Sequence, residues 1–487
     1  MSPGVSNIGR AFSNPANLGV TASQALPAYD MAGDVTDMEP VAEGDSYSLA
    51  TTATLDSVLK VGDVPPPPPP VKKQWGIYVF QVPGHGLDPD YARMNNQLAV
   101  KGTTTEAHIV LRGVDANGRL VNFSAQTTDA ENNGLFDQYS SGPAAGQYLE
   151  KHILSQDAMA TFLTETAKQF PAEHVVVSFE GHSGELRQFI PEIHAALAML
   201  ATQLGKPIDI LLFDSCFMAQ IEIATEFSNV AKFLVASQEG VVKFRSFPLI
   251  SRWLAKDGQT TPKELADLIA RNNKEFTFSA IDLGKVDALN QAMKGLGEVI
   301  LTISDNKVFK AIRKAVRGAT GYYTEGLFSS THFSNTVDIY GYIRGIEKNP
   351  YLRKYFPGVT DAAAMVLKAH GKKGEDLIVW ERHASKTDQY VLDYTDVRGS
   401  HGLSIHQRIT PKWLWNAYTH LKDSAFNKAT GWDKVTDHIT SQRTLVYLTA
   451  SVFSFLGGAV TAGVNNGIQR GMEIWEETKR KLSHVTS

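Results

Sequence analysis

His174-Val175-Val176-Val177-Ser178-Phe179 and Ile208-Asp209-Ile210-Leu211-Leu212-Phe213 are two short apolar runs separated by a helix-length interval, and their reading decides the fold. Both are rich in β-branched or aliphatic residues and lack strict apolar/polar alternation, as strands buried on both faces do. Trp75 to Val82, Ala107 to Arg112 and Lys232 to Ala236 have the same character. Between these runs, Ala158 to Phe170, Ile193 to Leu204 and Ala219 to Phe227 carry apolar residues at helical spacing. Strands alternating with helices predict an α/β fold, a mostly parallel sheet sandwiched by helices. Beyond residue 240 helical segments dominate (Pro262 to Asn272, Lys285 to Ser304, Val308 to Arg317), with strand-like pieces at Phe276 to Asp282 and Gly402 to His406.

The flanks differ in composition. Residues 1–72 are rich in Ser, Ala, Asp, Pro and Gly, and Asp30, Asp34, Asp37, Glu39, Glu43 and Asp45 follow one another without a basic residue. Such a segment buries too little apolar area to offset its chain entropy, so it is expected to be a disordered leader or a propeptide. It ends in the proline run 65–70, a stiff polyproline II spacer. A folded domain is expected over 73–425, followed by a C-terminal extension, 426–487. Within that extension no charged residue occurs between Arg443 and Arg470. The apolar helix expected at 444–464 has the length of a membrane span. Its many Ser, Thr and Gly residues equally suit a buried or self-associating helix.

The chain has 487 residues, 43% of them hydrophobic, and a formal net charge of -4. Nothing in that balance favours a nucleic-acid partner. Cys216 is the sole cysteine, which excludes an intramolecular disulfide and any multi-thiolate metal site. The N-terminus has no basic start followed by an apolar stretch, so a cytoplasmic location, or export without a Sec signal peptide, is expected.

Two polar groups stand just after buried strands. His182 lies in Gly181-His182-Ser183-Gly184, and Cys216 follows Asp214-Ser215. One helix between them is what a single crossover between neighbouring parallel strands needs, so both loops are expected on the same sheet edge. A thiol must lose its proton to attack a carbonyl, and an imidazole with a pKa of about 6.5 can assist or protonate a leaving amine. Gly181 and Gly184 leave room for a substrate backbone, and the main-chain N–H groups of Ser183 and Cys216 are candidate oxyanion donors. Spacing alone keeps His85, in Pro83-Gly84-His85-Gly86, as a rival, and His370 and His401 also precede glycines. It also leaves open a buried, inert cysteine. A serine elbow fails because Glu185 stands where Gly-x-Ser-x-Gly needs its second glycine, and no His-Glu-x-x-His motif occurs.

The stretch Asp214-Ser215-Cys216-Phe217-Met218-Ala219-Gln220-Ile221-Glu222 resembles the Asp-x-Cys-x-Met-x-x-x-Glu signature of clostripain-like cysteine peptidases. Further similarities follow in the family's order over about 75–425: the Trp75 strand, Phe170 to His174, Ala236 to Glu239, Phe278 to Leu283 and Gly402 to Ile405. The resemblance implies a caspase-hemoglobinase fold, His182 as catalytic histidine, Cys216 as nucleophile and Asp214 as the acidic residue of the P1 pocket. Ser237 and Gln238 would line that pocket. Cleavage after Arg or Lys would follow from charge-assisted pairing to Asp214, with exposed Arg or Lys residues of proteins or peptides as substrates. One departure is Ser183, where the family usually has glycine. Family members are often zymogens cut between the histidine and cysteine blocks, where Arg187 and Lys206 are basic; Lys72 and Lys73 are further candidates for self-cutting. No EF-hand-like loop occurs, and no metal or cofactor is expected. The reading from a different class is a non-catalytic scaffold that retains the fold and acts through its leader and C-terminal helix.

Overall fold

The computed structural model describes residues 70–82, 106–114, 119–125, 136–144, 154–241, 250, 254, 259–273, 277–322, 336–371, 377–381, 399–407 and 423–440. All belong to one compact unit, Pro68–Ser487. Most of the expected leader, His85 and the apolar segment 444–464 lie outside the described residues.

The apolar runs become neighbouring strands. In chain order these are β1 (Lys73–Gln81), β2 (Ala107–Val114), β3 (Arg119–Ala125), β4 (Phe136–Ala144), β5 (Ala172–Glu180), β6 (Ile208–Asp214), β7 (Ala231–Ser237) and β8 (Phe278–Asp282). They are followed by β9 (Gly321–Tyr322), β10 (Thr336–Asp338), β11 (Ile378–Glu381) and β12 (Ser404–His406). Nine of them form one sheet in the order β11-β8-β7-β6-β5-β1-β2-β3-β4, and β12-β10-β9 form a second, small antiparallel sheet. The five central strands, β7 to β2, run parallel. Both flanks are antiparallel, which the sequence reading did not foresee. β4 is an outermost strand, and Pro143 within it fits there because an edge residue can forgo one ladder hydrogen bond.

Every residue of β6 is buried, as the run of apolar residues predicted. On one face Tyr78, Phe80, Val177, Phe179, Leu211 and Phe213 pack under helices Gln156–Gln169 and Ile190–Leu204 through Phe162, Leu163, Ile193 and Leu197. The Phe179 and Phe213 rings stack there with centroids 5.8 Å apart. On the other face Ile77, Val79, Val176, Ile210, Leu212 and Val235 meet Leu265 and Ile269 of helix Pro262–Asn272. That helix starts sharply because Thr261 caps it in a capping box with Glu264 and Pro262 takes its first position. Each fully buried Leu or Ile here stabilises the fold by roughly 1.5–3 kcal/mol, and truncating Leu211 to Ala would cost about 2–5 kcal/mol.

One charged residue interrupts the β6 run. Asp209 is fully buried and accepts hydrogen bonds from Lys206 Nζ (2.8 Å), Lys232 Nζ (2.8 Å) and the Val175 N–H (3.0 Å). Burial opposes its charge, but the two ammonium groups and the amide outweigh it, and its pKa falls. Asp209 thus ties β5, β6 and β7 together at their amino ends and sets the register that their carboxyl ends share. Helices Ala425–Thr430 and Trp432–Thr440 close the unit, placing Phe426, Trp432, Val435 and Ile439 in the same core as β5 and β6.

Candidate active site

Strand register carries two loops to the same edge. Glu180, the last residue of β5, pairs in register with Asp214, the last residue of β6. His182 and Cys216 each follow two residues later, so both stand beyond the carboxyl ends of adjacent parallel strands, where α/β sheets place functional groups. The single-crossover expectation therefore holds. His182 is exposed, and its carbonyl accepts the Leu186 N–H (3.1 Å) at the start of the short helix Ser183–Leu186.

Cys216 is half-buried, and its surroundings are built from the far end of β7. The chain after Cys216 runs beside residues 237–241: Phe217 N–H donates to the Glu239 carbonyl (3.3 Å) and Ala219 N–H to the Ser237 carbonyl (3.0 Å). Sγ accepts the Val241 N–H (3.2 Å) and donates towards the Val241 carbonyl (3.6 Å). Burial pushes the thiol pKa up; the Val241 N–H and Arg187 oppose this, and the Glu239 and Asp214 carboxylates add to it.

Phe217, directly after Cys216, has a φ of 54°, in the left-handed region where a side chain costs roughly 1–2 kcal/mol. Arg187 offsets that cost. Its guanidinium donates to the Phe217 carbonyl (2.5 Å) and lies 5.8 Å from the ring centroid. A hydrogen bond from a charged donor contributes about 1.5–3 kcal/mol, enough to hold the conformation. The sequence offered Arg187 as a self-cutting site, but only 5% of it is exposed, so a protease could not reach it without unfolding the loop. Behind it lies Glu222, 3% exposed, whose Oε1 accepts the His406 N–H (2.9 Å); burial raises its pKa to about 7.

Of the expected P1-pocket residues, Asp214 and Ser237 fall on the sheet face that carries Ile210 and Leu212. Gln81, Glu180 and Asp214 stand side by side on β1, β5 and β6, each no more than 1% exposed. Gln81 Nε2 donates to Glu180 Oε2 (3.1 Å). Two carboxylates so close in a dry site cannot both ionise freely, and the Glu180 pKa is driven well up, by burial first and by Asp214 second. Sequence reasoning missed Glu180, although its position before Gly181-His182 could have flagged it.

Ser237 ends β7, two residues beyond Val235, the partner of Leu212, and so continues the same row; its Oγ lies 3.1 Å from Thr277 Oγ1. Gln238 is a cross-brace. Its amide donates to Asp338 Oδ2 (3.2 Å) and its carbonyl oxygen accepts the Gly402 N–H (2.9 Å), so both ends are engaged within the protein. Of the other histidines, His401 is held by Asp338 through Nδ1 (2.9 Å) and its own N–H (2.7 Å), while His370 is buried, and that burial lowers its pKa. Ser404 N–H donates to the Ala219 carbonyl (2.9 Å), which docks the small sheet against the cysteine loop. Among the described residues no cluster of His, Cys, Asp and Glu could hold a metal ion, and no helix is long and apolar enough to cross a membrane.

Two polar loops thus share one edge of a helix-sandwiched, mostly parallel sheet. The family model of peptidase C11, the clostripain family, matches residues 166–441, more than half of the sequence, and the chain belongs to that family. No curated protein matches it in sequence. Its fold is similar to an inactive zymogen C11 protease from Parabacteroides distasonis, with TM-score 0.55 and 13% identity over 74% of this chain and 99% of that one. It is also similar to a secreted C11 cysteine protease from Bacteroides thetaiotaomicron bound to an irreversible peptide inhibitor, with TM-score 0.52 and 14% identity over 74% of this chain and 100% of that one.

Proposed function

We propose that the protein is a cysteine endopeptidase that cuts after Arg or Lys, with Cys216 as nucleophile and His182 as its acid–base partner. The observation that carries this reading is the register of Glu180 with Asp214 on adjacent parallel strands, from which His182 and Cys216 each follow by two residues. Membership of a cysteine peptidase family supports it.

In this mechanism the Cys216 thiolate attacks the scissile carbonyl carbon, and the main-chain N–H groups of Ser183 and Cys216 receive the oxyanion. His182 then protonates the leaving amine, and water hydrolyses the acyl-enzyme with the same imidazole acting as base. Asp214, sealed at the base of the pocket, pairs with the P1 guanidinium or ammonium; low local polarity makes that pairing strong and selective. Ser237 borders the pocket beside Asp214, and Gln238 keeps its wall in place through Asp338 and Gly402. Likeness to an inactive zymogen makes self-processing part of the proposal, with exposed Lys72 as a site and buried Arg187 excluded in the folded chain.

A peptide library varied at P1 tests this with the full chain, His182→Ala and Cys216→Ala side by side. Wild type should turn over Arg and Lys peptides only, and both variants should fall to background. Cleavage by Cys216→Ala would overturn the reading. An Arg-containing acyloxymethylketone should modify Cys216, whereas a non-catalytic scaffold would stay unmodified.

A further inference from the structure

We propose that Arg187 is a positioning residue for Cys216: it fixes the Phe217 carbonyl beside the nucleophile and supplies a buried positive charge that favours the thiolate. The inference rests on the reading of Cys216 as nucleophile. Arg187 comes from the histidine side of the site, in the turn Arg187–Phe189 that follows helix Ser183–Leu186. Its guanidinium crosses to the loop after β6, where it donates to Phe217 O (2.5 Å) and lies over the Phe217 ring. The residue that ties the two loops together is therefore a cation five positions after His182 and bonded to the residue after Cys216.

The charge matters because of what else surrounds the sulfur. Asp214 at the end of β6 and Glu239 beyond β7 both oppose ionisation of Cys216, and Arg187 favours it. Glu222, at the start of helix Ile221–Phe227, also feels Arg187, and His182 stands on the loop after β5. A cation that is 5% exposed acts on the thiol with little screening by water or salt. Without it, burial and the two carboxylates would push the thiol pKa higher still, and the sulfur would react more slowly.

Cys216 is the only cysteine in the chain, so alkylation by iodoacetamide followed by mass reports on this sulfur alone. The full chain, Arg187→Gln, Arg187→Lys and Glu239→Gln are labelled across pH. Arg187→Gln keeps a donor for the Phe217 carbonyl but removes the charge, and its labelling at neutral pH should slow about tenfold as the midpoint moves up by about one pH unit. Arg187→Lys should stay within about threefold of wild type, and Glu239→Gln, which removes an opposing carboxylate, should label about two- to threefold faster. Wild-type labelling in Arg187→Gln overturns the proposal. If that variant has no cooperative melt, Glu239→Gln decides, and an unchanged rate there overturns it. Labelling needs no substrate, so a chain that labels as expected yet cuts no peptide refutes the peptidase reading alone. A chain that cuts Arg peptides while Arg187→Gln labels like wild type refutes only this inference.

Discussion

The loops after β5 and β6 leave the same sheet edge from residues paired in register, yet they are built for different tasks. The β5 loop turns at once into a short helix and presents an exposed imidazole. The β6 loop is tied to β7 by main-chain bonds at Phe217 and Ala219, to Val241 through the sulfur, to the small sheet through Ser404, and to the β5 loop through Arg187. In the proposed mechanism the proton carrier needs access, whereas the nucleophile and its neighbouring amides need a fixed backbone. The difference teaches that the fixed backbone of this sheet edge lies on the cysteine side, which is where the proposed reaction would take its geometry.

The paired ends themselves divide the same way, and the sharpest test of that is charge removal at Asp214. Asp214→Asn should lower kcat/KM for Arg peptides roughly 10³-fold, because a buried cation would lose its partner, while peptides with neutral citrulline at P1 change little. An equal loss on both peptides would break the assignment of Asp214 to specificity.

Next in size is the pH response of the β6 side. Glu222 keeps its proton in the folded chain up to about pH 7, whereas its ordinary value is 4.5. The folded chain therefore holds the extra proton between those values, and this contribution is complete below about pH 4.5 and lost as pH rises towards 7. The loss is on the order of 3 kcal/mol. Denaturant titrations at pH 5 and 8 should show wild type weakening more than Glu222→Gln; parallel behaviour would place the carboxylate outside the folding equilibrium.

The left-handed Phe217 gives a smaller effect. Phe217→Gly should be about 1 kcal/mol more stable than Phe217→Ala, since both lose the ring but only Gly accepts the positive φ without strain. Urea midpoints measure this. Equal midpoints would mean that the loop relaxes once the ring is gone.

The smallest change is expected on the other member of the pair. Burial and Asp214 drive the Glu180 pKa well up, so Glu180→Gln should alter kcat/KM for Arg peptides by less than about twofold. A large loss would show that Glu180 acts as an anion and that the two paired ends share one role.

Much of the central sheet was legible because strands buried on both faces must be apolar throughout. β1, β2, β5, β6, β7 and β8 all fall on runs read from the sequence. β3, β4 and β11 flank the sheet at its edges and lack that continuous signal, so they went unread. Helices such as Ile339–Glu347 and Pro357–His370 were likewise found only in the fold. At the site, the sequence singled out His182, Asp214 and Cys216 through strand-end placement and family resemblance. It had no means of finding Arg187 as a clamp, because its partner, Phe217, lies 30 residues away and offers a backbone carbonyl, which every residue has.

What the sequence by itself determined was the alternation of buried strands and helices, and with it the edge where His182 and Cys216 emerge. Periodicity and burial are local signals, written residue by residue. Only the tertiary structure decided that Glu180 stands beside Asp214, that Gln238 braces Asp338 and Gly402, and that Arg187 is sealed against the cysteine loop. Those relations depend on strand register and on long-range hydrogen bonds to backbone atoms, which no spacing along the chain encodes.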